Sequence, residues 1–269
     1  RRQRQMCIRD SPKVADAIVE AIWDTRIAPQ RILDPSAGTG VFVNAVDFHD
    51  PYAEITCFEK DPLTGLILRH LHPDDTVRVQ GFETIEPAYE GHFDLITSNI
   101  PFGDVSLFDP AFSSSRDPVR RQGAWAIHNY FFMKSVDLVR DGGLVAFITS
   151  QGMADAERNR PVREWLMERC DLVAAVRLPN NLFTEYAGTE VASDLIVLQK
   201  QSEKRELTPD EQRFVNSSEI GNGIYLNDYH RDFKHAIHTT FSHEKGLYGQ
   251  SSLVLHYDGG PERIAERLR

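Results

Sequence analysis

Seven short apolar stretches, most of them separated by segments of helical periodicity, restrict the fold of this chain more than any other feature. They lie at residues 32–34, 55–58, 77–79, 93–97, 144–149, 172–178 and 194–199. Each is short enough to read as a strand, and Ile32-Leu33-Asp34 reads as a buried one. Between them lie helix-like segments. Residues 12–26 carry Val14, Ile18, Val19 and Ile22 at helical spacing, and 41–48, 62–71, 127–140 and 161–169 follow. The helix at 127–140 is expected to stop at Asp141-Gly142-Gly143. Strands that alternate with helices build βαβ units, so the expected fold is α/β with a mostly parallel sheet and helices on both faces.

Length and charge set the boundaries of this reading. The chain has 269 residues, enough for one large domain or a domain with an appendage. Texture changes near residue 200. Residues 201–213 are charged and polar, and 214–269 carry glycines and aromatics without a period. We therefore divide the chain into a domain at 12–200 and a linker with a small C-terminal appendage at 201–269. The closing helix-like stretch at 261–269 has no cap, as in a piece of a longer protein. Met6 to Ser11 resemble a translated sequencing adaptor, so residues 1–11 are set apart as an artefact or unstructured start. The net charge of −10 disfavours a protein that coats nucleic acid non-specifically, so a DNA-binding role has to rest on local motifs. Cys7, Cys57 and Cys170 are too far apart to suggest a disulfide framework or a zinc site. The histidines at 230, 235, 238, 243 and 256 fit no zinc spacing, and no metal is expected. No apolar run reaches membrane-spanning length and no signal peptide is present, so the expected setting is intracellular.

Two motifs prepare a cofactor site. Asp34-Pro35-Ser36-Ala37-Gly38-Thr39-Gly40 lies between a strand and a helix, where glycines permit a tight turn and close approach of backbone to a ligand. A plain tight turn would use the same residues. Glu59 ends the next strand, 25 residues after Asp34, where doubly wound folds place a carboxylate on ribose hydroxyls. A solvated strand-end carboxylate is the alternative.

Ser98-Asn99-Ile100-Pro101-Phe102-Gly103 closes the fourth strand. It resembles the Asn-Pro-Pro-aromatic signature of amino-group methyltransferases, and the glycine turn upstream resembles their cofactor motif. The resemblance runs from about residue 12 to 200 and departs from the signature at Ile100, where proline is usual. It implies a Rossmann-like S-adenosylmethionine-dependent methyltransferase fold and an adenine-specific N6 DNA methyltransferase. The implied cofactor is S-adenosylmethionine, held by Pro12, Asp34, Pro35, Ser36, Ala37, Gly38, Gly40, Glu59 and Phe82. Phe82 would pack on the adenine ring, since no aspartate follows the third strand; packing in the core is the other reading. The implied catalytic residues are Asn99, Ile100, Pro101 and Phe102.

Elementary chemistry supports the tetrad independently. The Asn99 amide oxygen and the Ile100 carbonyl can each accept a hydrogen bond from a planar –NH₂ group, which aims its lone pair at a methyl donor. Pro101 stiffens the turn. Phe102 offers a plane on which a base stacks, worth about 1–3 kcal/mol. A base within a duplex cannot reach such a pocket, so double-stranded DNA would present a flipped-out adenine. Leu178-Pro179-Asn180-Asn181-Leu182-Phe183 resembles the segment that lines the target-base pocket, with Phe183 as a second stacking face or as core. Arg116, Arg120 and Arg121, and then Arg158, Arg160 and Arg163, lie in two loops expected at the sheet's carboxyl edge, either as phosphate contacts or as solvated charge. His128 to Phe132 read as helix and core.

The pattern as a whole is similar to methylase domains in bacterial mobile elements and phages, often joined to Swi/Snf-type helicases. It implies a cytoplasmic restriction-modification relative with a helicase in the same full-length chain. The same turn would serve RNA or a protein glutamine, and an inactive cofactor-binding module within a larger antirestriction or helicase protein is the non-enzymatic reading.

Overall fold

A computed structural model describes residues 11–25, 28–103, 105–184, 191–204, 206–245 and 251–269. Helix α1 (Pro12–Asp24) precedes β1 (Arg31–Asp34), α2 (Val41–His49), β2 (Glu54–Phe58), α3 (Pro62–Leu71), β3 (Thr76–Arg78) and β4 (Phe93–Asn99). Short helices α4 (Pro110–Ser113) and α5 (Pro118–Gly123) lead to α6 (Ile127–Leu138), β5 (Val139–Ser150), α7 (Gly152–Asp155), α8 (Arg160–Met167), β6 (Cys170–Leu178) and β7 (Ser193–Lys200). The seven strands form one sheet in the order β3-β2-β1-β4-β5-β7-β6. The β1, β2, β3, β4 and β5 pairings are parallel, and β7 runs antiparallel to both β5 and β6.

The strands are apolar on both sides because the two faces meet separate cores. On β5, Val145 and Phe147 join a cluster with Phe82, Tyr130, Phe132 and Trp165. Leu144, Ala146 and Ile148 join another with Val14, Phe42, Val46 and Ile264. This period of two, apolar in both phases, is the signature of a sheet covered by helices on each face.

Two local expectations change. Asp141-Gly142-Gly143 does not stop α6, which ends at Leu138; it forms an irregularity early in β5, where pairing with β4 shifts between Phe93 and Leu95. Gly142 has φ +72°, and a side chain on Gly143 would meet the Asp94 carbonyl at 2.9 Å. The bulge thus needs both glycines. The loop at 104–124 contains α4 and α5, each capped by an aspartate, Asp109 and Asp117 respectively.

Beyond Lys200 lie α9 (Pro209–Val215), the hairpins β8 (Ser217–Gly221) with β9 (Ile224–Asn227) and β10 (Thr240–Lys245) with β11 (Ser251–His256), and α10 (Gly260–Leu268). Phe214 and Val215 of α9 enter the first core, and Ile264 of α10 enters the second against α1. Among the described residues no helix is long and apolar enough to cross a membrane.

Candidate active site

The sheet gathers the motifs by its topology. β1 and β4 are neighbours at its centre, so the glycine turn after β1 and the tetrad after β4 emerge side by side at one carboxyl edge. The Ser98 hydroxyl donates to the Ser36 carbonyl at 3.3 Å and joins the two segments directly. Sequence reading had no role for Ser98; its place one residue before Asn99 was the available signal.

The glycine turn is fixed from several sides. Asp34, buried at the end of β1, accepts from the Ser36 amide at 3.1 Å, and the Ala37 amide donates to the Phe58 carbonyl at 2.9 Å. Glu59 reaches across from β2. Its Oε2 accepts from the Gly38 amide at 2.9 Å and its Oε1 from the Asp61 amide at 2.7 Å. Each carboxylate oxygen has two lone pairs, so acceptor capacity remains for a diol. Gly38 (φ +56°) faces open space, whereas behind Gly40 (φ +88°) a Cβ would lie 2.6 Å from His72 Nε2 and 2.9 Å from Leu68 Cδ1. The turn is therefore open at Gly38 and closed at Gly40, a cradle shaped for a ligand on the Gly38 side. Ser11 is buried, its carbonyl accepts from the Val14 and Ala15 amides at the start of α1, and its Oγ lacks a hydrogen-bond partner among the described residues. Pro12 is the exposed first residue of α1. A diol acceptor, an open turn at Gly38 and a spare hydroxyl together fit S-adenosylmethionine.

This asymmetry separates two glycine substitutions. Gly40→Ala combines left-handed strain with overlap on two buried side chains, each costing about 1–3 kcal/mol; its urea midpoint is expected to fall clearly. Gly38→Ala carries strain alone and should unfold closer to wild type, yet place its methyl in the cofactor cradle. Paired urea titrations and cofactor-binding isotherms check this. Equal stability of the two variants would contradict it.

In the tetrad, the Ile100 amide donates to the Ile148 carbonyl at 3.0 Å, and its side chain is buried in the first core. A proline there has no N–H to give. The departure from the family signature therefore adds a ladder bond at the point where β4 ends. Asn99, Pro101 and Phe102 are half-buried, with Phe102 packed against the second core.

Other proposed contacts divide into exposed and enclosed groups. Phe82 is buried, tilted against Phe131 at 5.0 Å and edge-on to Phe58 and Tyr130, so it packs in the core. Phe183 is also buried, in the cluster that Phe102 borders. Arg116 and Arg121 are exposed. Arg120 is held in a two-toothed pair with Asp137 at 2.8 and 2.7 Å and lies over the Phe112 ring at 4.3 Å. Arg160 pairs with Glu164 at 3.1 Å. Arg163 is fully buried and donates to the carbonyls of Val215, Met153 and Ala156, so a phosphate contact is excluded and its role is to fasten α9 to α7 and α8. Burial pushes its guanidinium down to about 10. Asn129 is likewise interior, donating to Asn159 at 2.8 Å.

Two fastenings escaped sequence reading. Asp109 accepts from Tyr130 Oη at 2.7 Å and Lys134 Nζ at 3.1 Å, pinning the loop after the tetrad to α6. Asn180 Oδ1 accepts from the Leu255 amide, and Asn181 exchanges bonds with both the amide and the carbonyl of Tyr257. The Pro-Asn-Asn segment thus clamps β11.

A profile of N-6 DNA methylases matches residues 64–257. The defense against restriction protein B of Escherichia phage P1 is 26% identical over 192 residues, 68% of this chain and 8% of that protein. The type II methyltransferase M.XamI of Xanthomonas campestris pv. amaranthicola is 26% identical over 159 residues, 55% of this chain and 30% of that enzyme. The chain thus spans less than a third of either relative. A modification subunit assigned to a type I restriction enzyme from Vibrio vulnificus YJ016 shares the fold with a TM-score of 0.62 at 16% identity, covering 100% of this chain and 62% of that one. The sheet is the seven-stranded, mostly parallel sheet of S-adenosylmethionine-dependent methyltransferases. With the glycine turn, Glu59 and the Asn-Ile-Pro-Phe tetrad at one edge of that sheet, the chain belongs to the N-6 DNA methylase family.

Proposed function

We propose that this chain transfers a methyl group from S-adenosylmethionine to N6 of an adenine flipped out of duplex DNA, as the methylase portion of a restriction-related or antirestriction protein. The observation that carries the reading is the direct tie between the cofactor turn and the tetrad, Ser98 Oγ to the Ser36 carbonyl. S-adenosylmethionine, when bound, supplies a methyl group on a sulfonium. Glu59 would accept the ribose hydroxyls, and Ser11 Oγ would meet the methionine end. Asn99 and the Ile100 carbonyl would accept the two N6 hydrogens, which leaves the nitrogen's lone pair available to the methyl group. The bound cofactor would supply the methyl carbon to that nitrogen, and the extra proton would pass to solvent. Phe102 stacks on the base.

DNA would approach over the loop that follows. Phe108 is 75% exposed and Trp125 is 67% exposed. They flank one backbone bond, Leu107 amide to Ala124 carbonyl at 2.9 Å, and Arg116 and Arg121 share the segment. Large exposed apolar groups with neighbouring cations suit a polyanion that also offers base planes. The covalent link to a helicase in a longer chain belongs to the same proposal.

Radiolabelled S-adenosylmethionine with unmethylated duplex DNA tests it. Label is expected as N6-methyladenine. Phe102→Ala is expected to lower kcat/KM by the stacking term of about 1–3 kcal/mol, about 5- to 150-fold. Label in RNA or in protein glutamine instead, or cofactor binding without transfer, would overturn the reading.

A further inference from the structure

We infer that Asp47, His72 and Asp75 form a site for one divalent cation of the zinc or manganese class, set behind the cofactor turn. The three residues come from separate elements. Asp47 lies on α2, His72 caps the C-terminus of α3, and Asp75 precedes β3. His72 Nδ1 lies 3.5 Å from Asp47 Oδ2 and 3.4 Å from Asp75 Oδ2, and one ligand atom from each residue lies within 4.8 Å of the others. A tetrahedral ion with bonds of about 2.1 Å has ligand–ligand edges of about 3.4 Å, so two edges already have the length that such an ion requires.

Burial and charge support the same reading. The His72 side chain is 5% exposed and that of Asp75 12% exposed. His72 Nε2 has no hydrogen-bond partner among the described residues, so the ring's polar interactions are confined to the carboxylate side. Two carboxylates converge on one ring nitrogen here, and a bound cation would offset their charge. One imidazole nitrogen with two carboxylates suits zinc or manganese better than the oxygen-only preference of magnesium or calcium. Asp47, 43% exposed, provides the entry side, where water would complete the shell. His72 is also the side chain that closes the space behind Gly40. An ion would bind α2, α3 and the start of β3 into one support for the glycine turn.

The test does not depend on methyl transfer. Chelator-stripped wild-type protein is titrated with Zn²⁺ by calorimetry and with Co²⁺ by visible absorption, alongside Asp47→Asn/Asp75→Asn. One equivalent is expected in the wild type. The variant should lose at least the about 10–100-fold that follows removal of an outer-shell partner, while its metal-free unfolding midpoint stays at or above wild type because like charge has been removed. No uptake by the wild type overturns the proposal. So does equal uptake by the variant, which would place the ion on the C-terminal histidines.

Discussion

Asn99→Ala is expected to lower kcat by about 10²–10³-fold, the cost of removing one pre-positioned polar group from a reacting centre, with the cofactor's Kd unchanged. The main chain carries the local fold at this position. The backbone at 99 is held by pairing with Ile148 on β5, and the next amide is tied to the same residue. The fold around the position is thus carried by the main chain and by Ile100, and both survive truncation. Truncation removes the amide oxygen proposed as an acceptor for N6. Asn99→Asp keeps an acceptor at the same reach and should lose less than alanine. Single-turnover formation of N6-methyladenine with saturating cofactor checks both. Matching losses in kcat and kcat/KM would mark an interaction made in the transition state alone. A wild-type rate in the alanine variant would remove Asn99 from the chemistry.

Much of the candidate site's placement was legible because its signals are local. The strand–glycine turn–helix of 34–40, the carboxylate that ends β2 and the tetrad that ends β4 each lie within a few residues, and a parallel sheet brings strand ends to one edge whatever lies between. Strand direction was not legible in the same way. The apolar run at 194–199 reads identically in either sense, and only tertiary pairing shows that β7 is reversed. The arginines divide for a similar reason. Arg116 and Arg163 look alike in the text, but the groups that enclose Arg163 include the Val215 carbonyl, 52 residues away.

The C-terminal segment held one signal that was overlooked. Thr208-Pro209-Asp210-Glu211 has the spacing of a capping box, and in the structure Thr208 and Glu211 cap each other at the start of α9. Charge in residues 201–213 suggested a linker, whereas Glu211 is buried, bonded to Lys204 and to the Leu172 amide. The clamps of Asn180 and Asn181 on β11 span 75 and 76 residues, beyond the reach of any local pattern.

The largest expected stability loss comes from Arg177→Met, about 3–5 kcal/mol, against a total of about 5–15 kcal/mol for an ordinary domain. Arg177 lies on β6 with its side chain only 2% exposed. Its Nε donates to Asp194 at 2.5 Å and its Nη2 to Asp155 at 2.8 Å. Burial, reinforced by the Arg177 charge, pushes His230 down to about 3, so this ring is neutral. Its Nε2 faces the Ala175 carbonyl at 3.1 Å and must carry the proton, leaving Nδ1 to accept from Arg177 at 3.4 Å. One cation therefore balances two enclosed carboxylates, and methionine would leave both without a counter-charge. Burial already holds the Asp194 carboxyl above its usual range against the pull of Arg177, and without the guanidinium it should rise further. For a carboxyl raised in this way the penalty is full above the folded pKa and fades as pH falls through it, so the deficit should be larger at pH 7 than at pH 5 in urea titrations. Adding Asp155→Asn and Asp194→Asn removes the stranded charge and should recover much of the loss, since replacing a whole buried ion cluster is often near neutral. Asp155 also accepts from the Asn227 amide at 2.9 Å, and the backbone of Arg177 bonds to His235 and Ile237. The single variant should therefore expose the segment after Asn227 to protease before the sheet itself unfolds. A pH-independent deficit, or one below about 1 kcal/mol, would mean that the two carboxylates are already neutral in the wild type and that Arg177 serves only as packing.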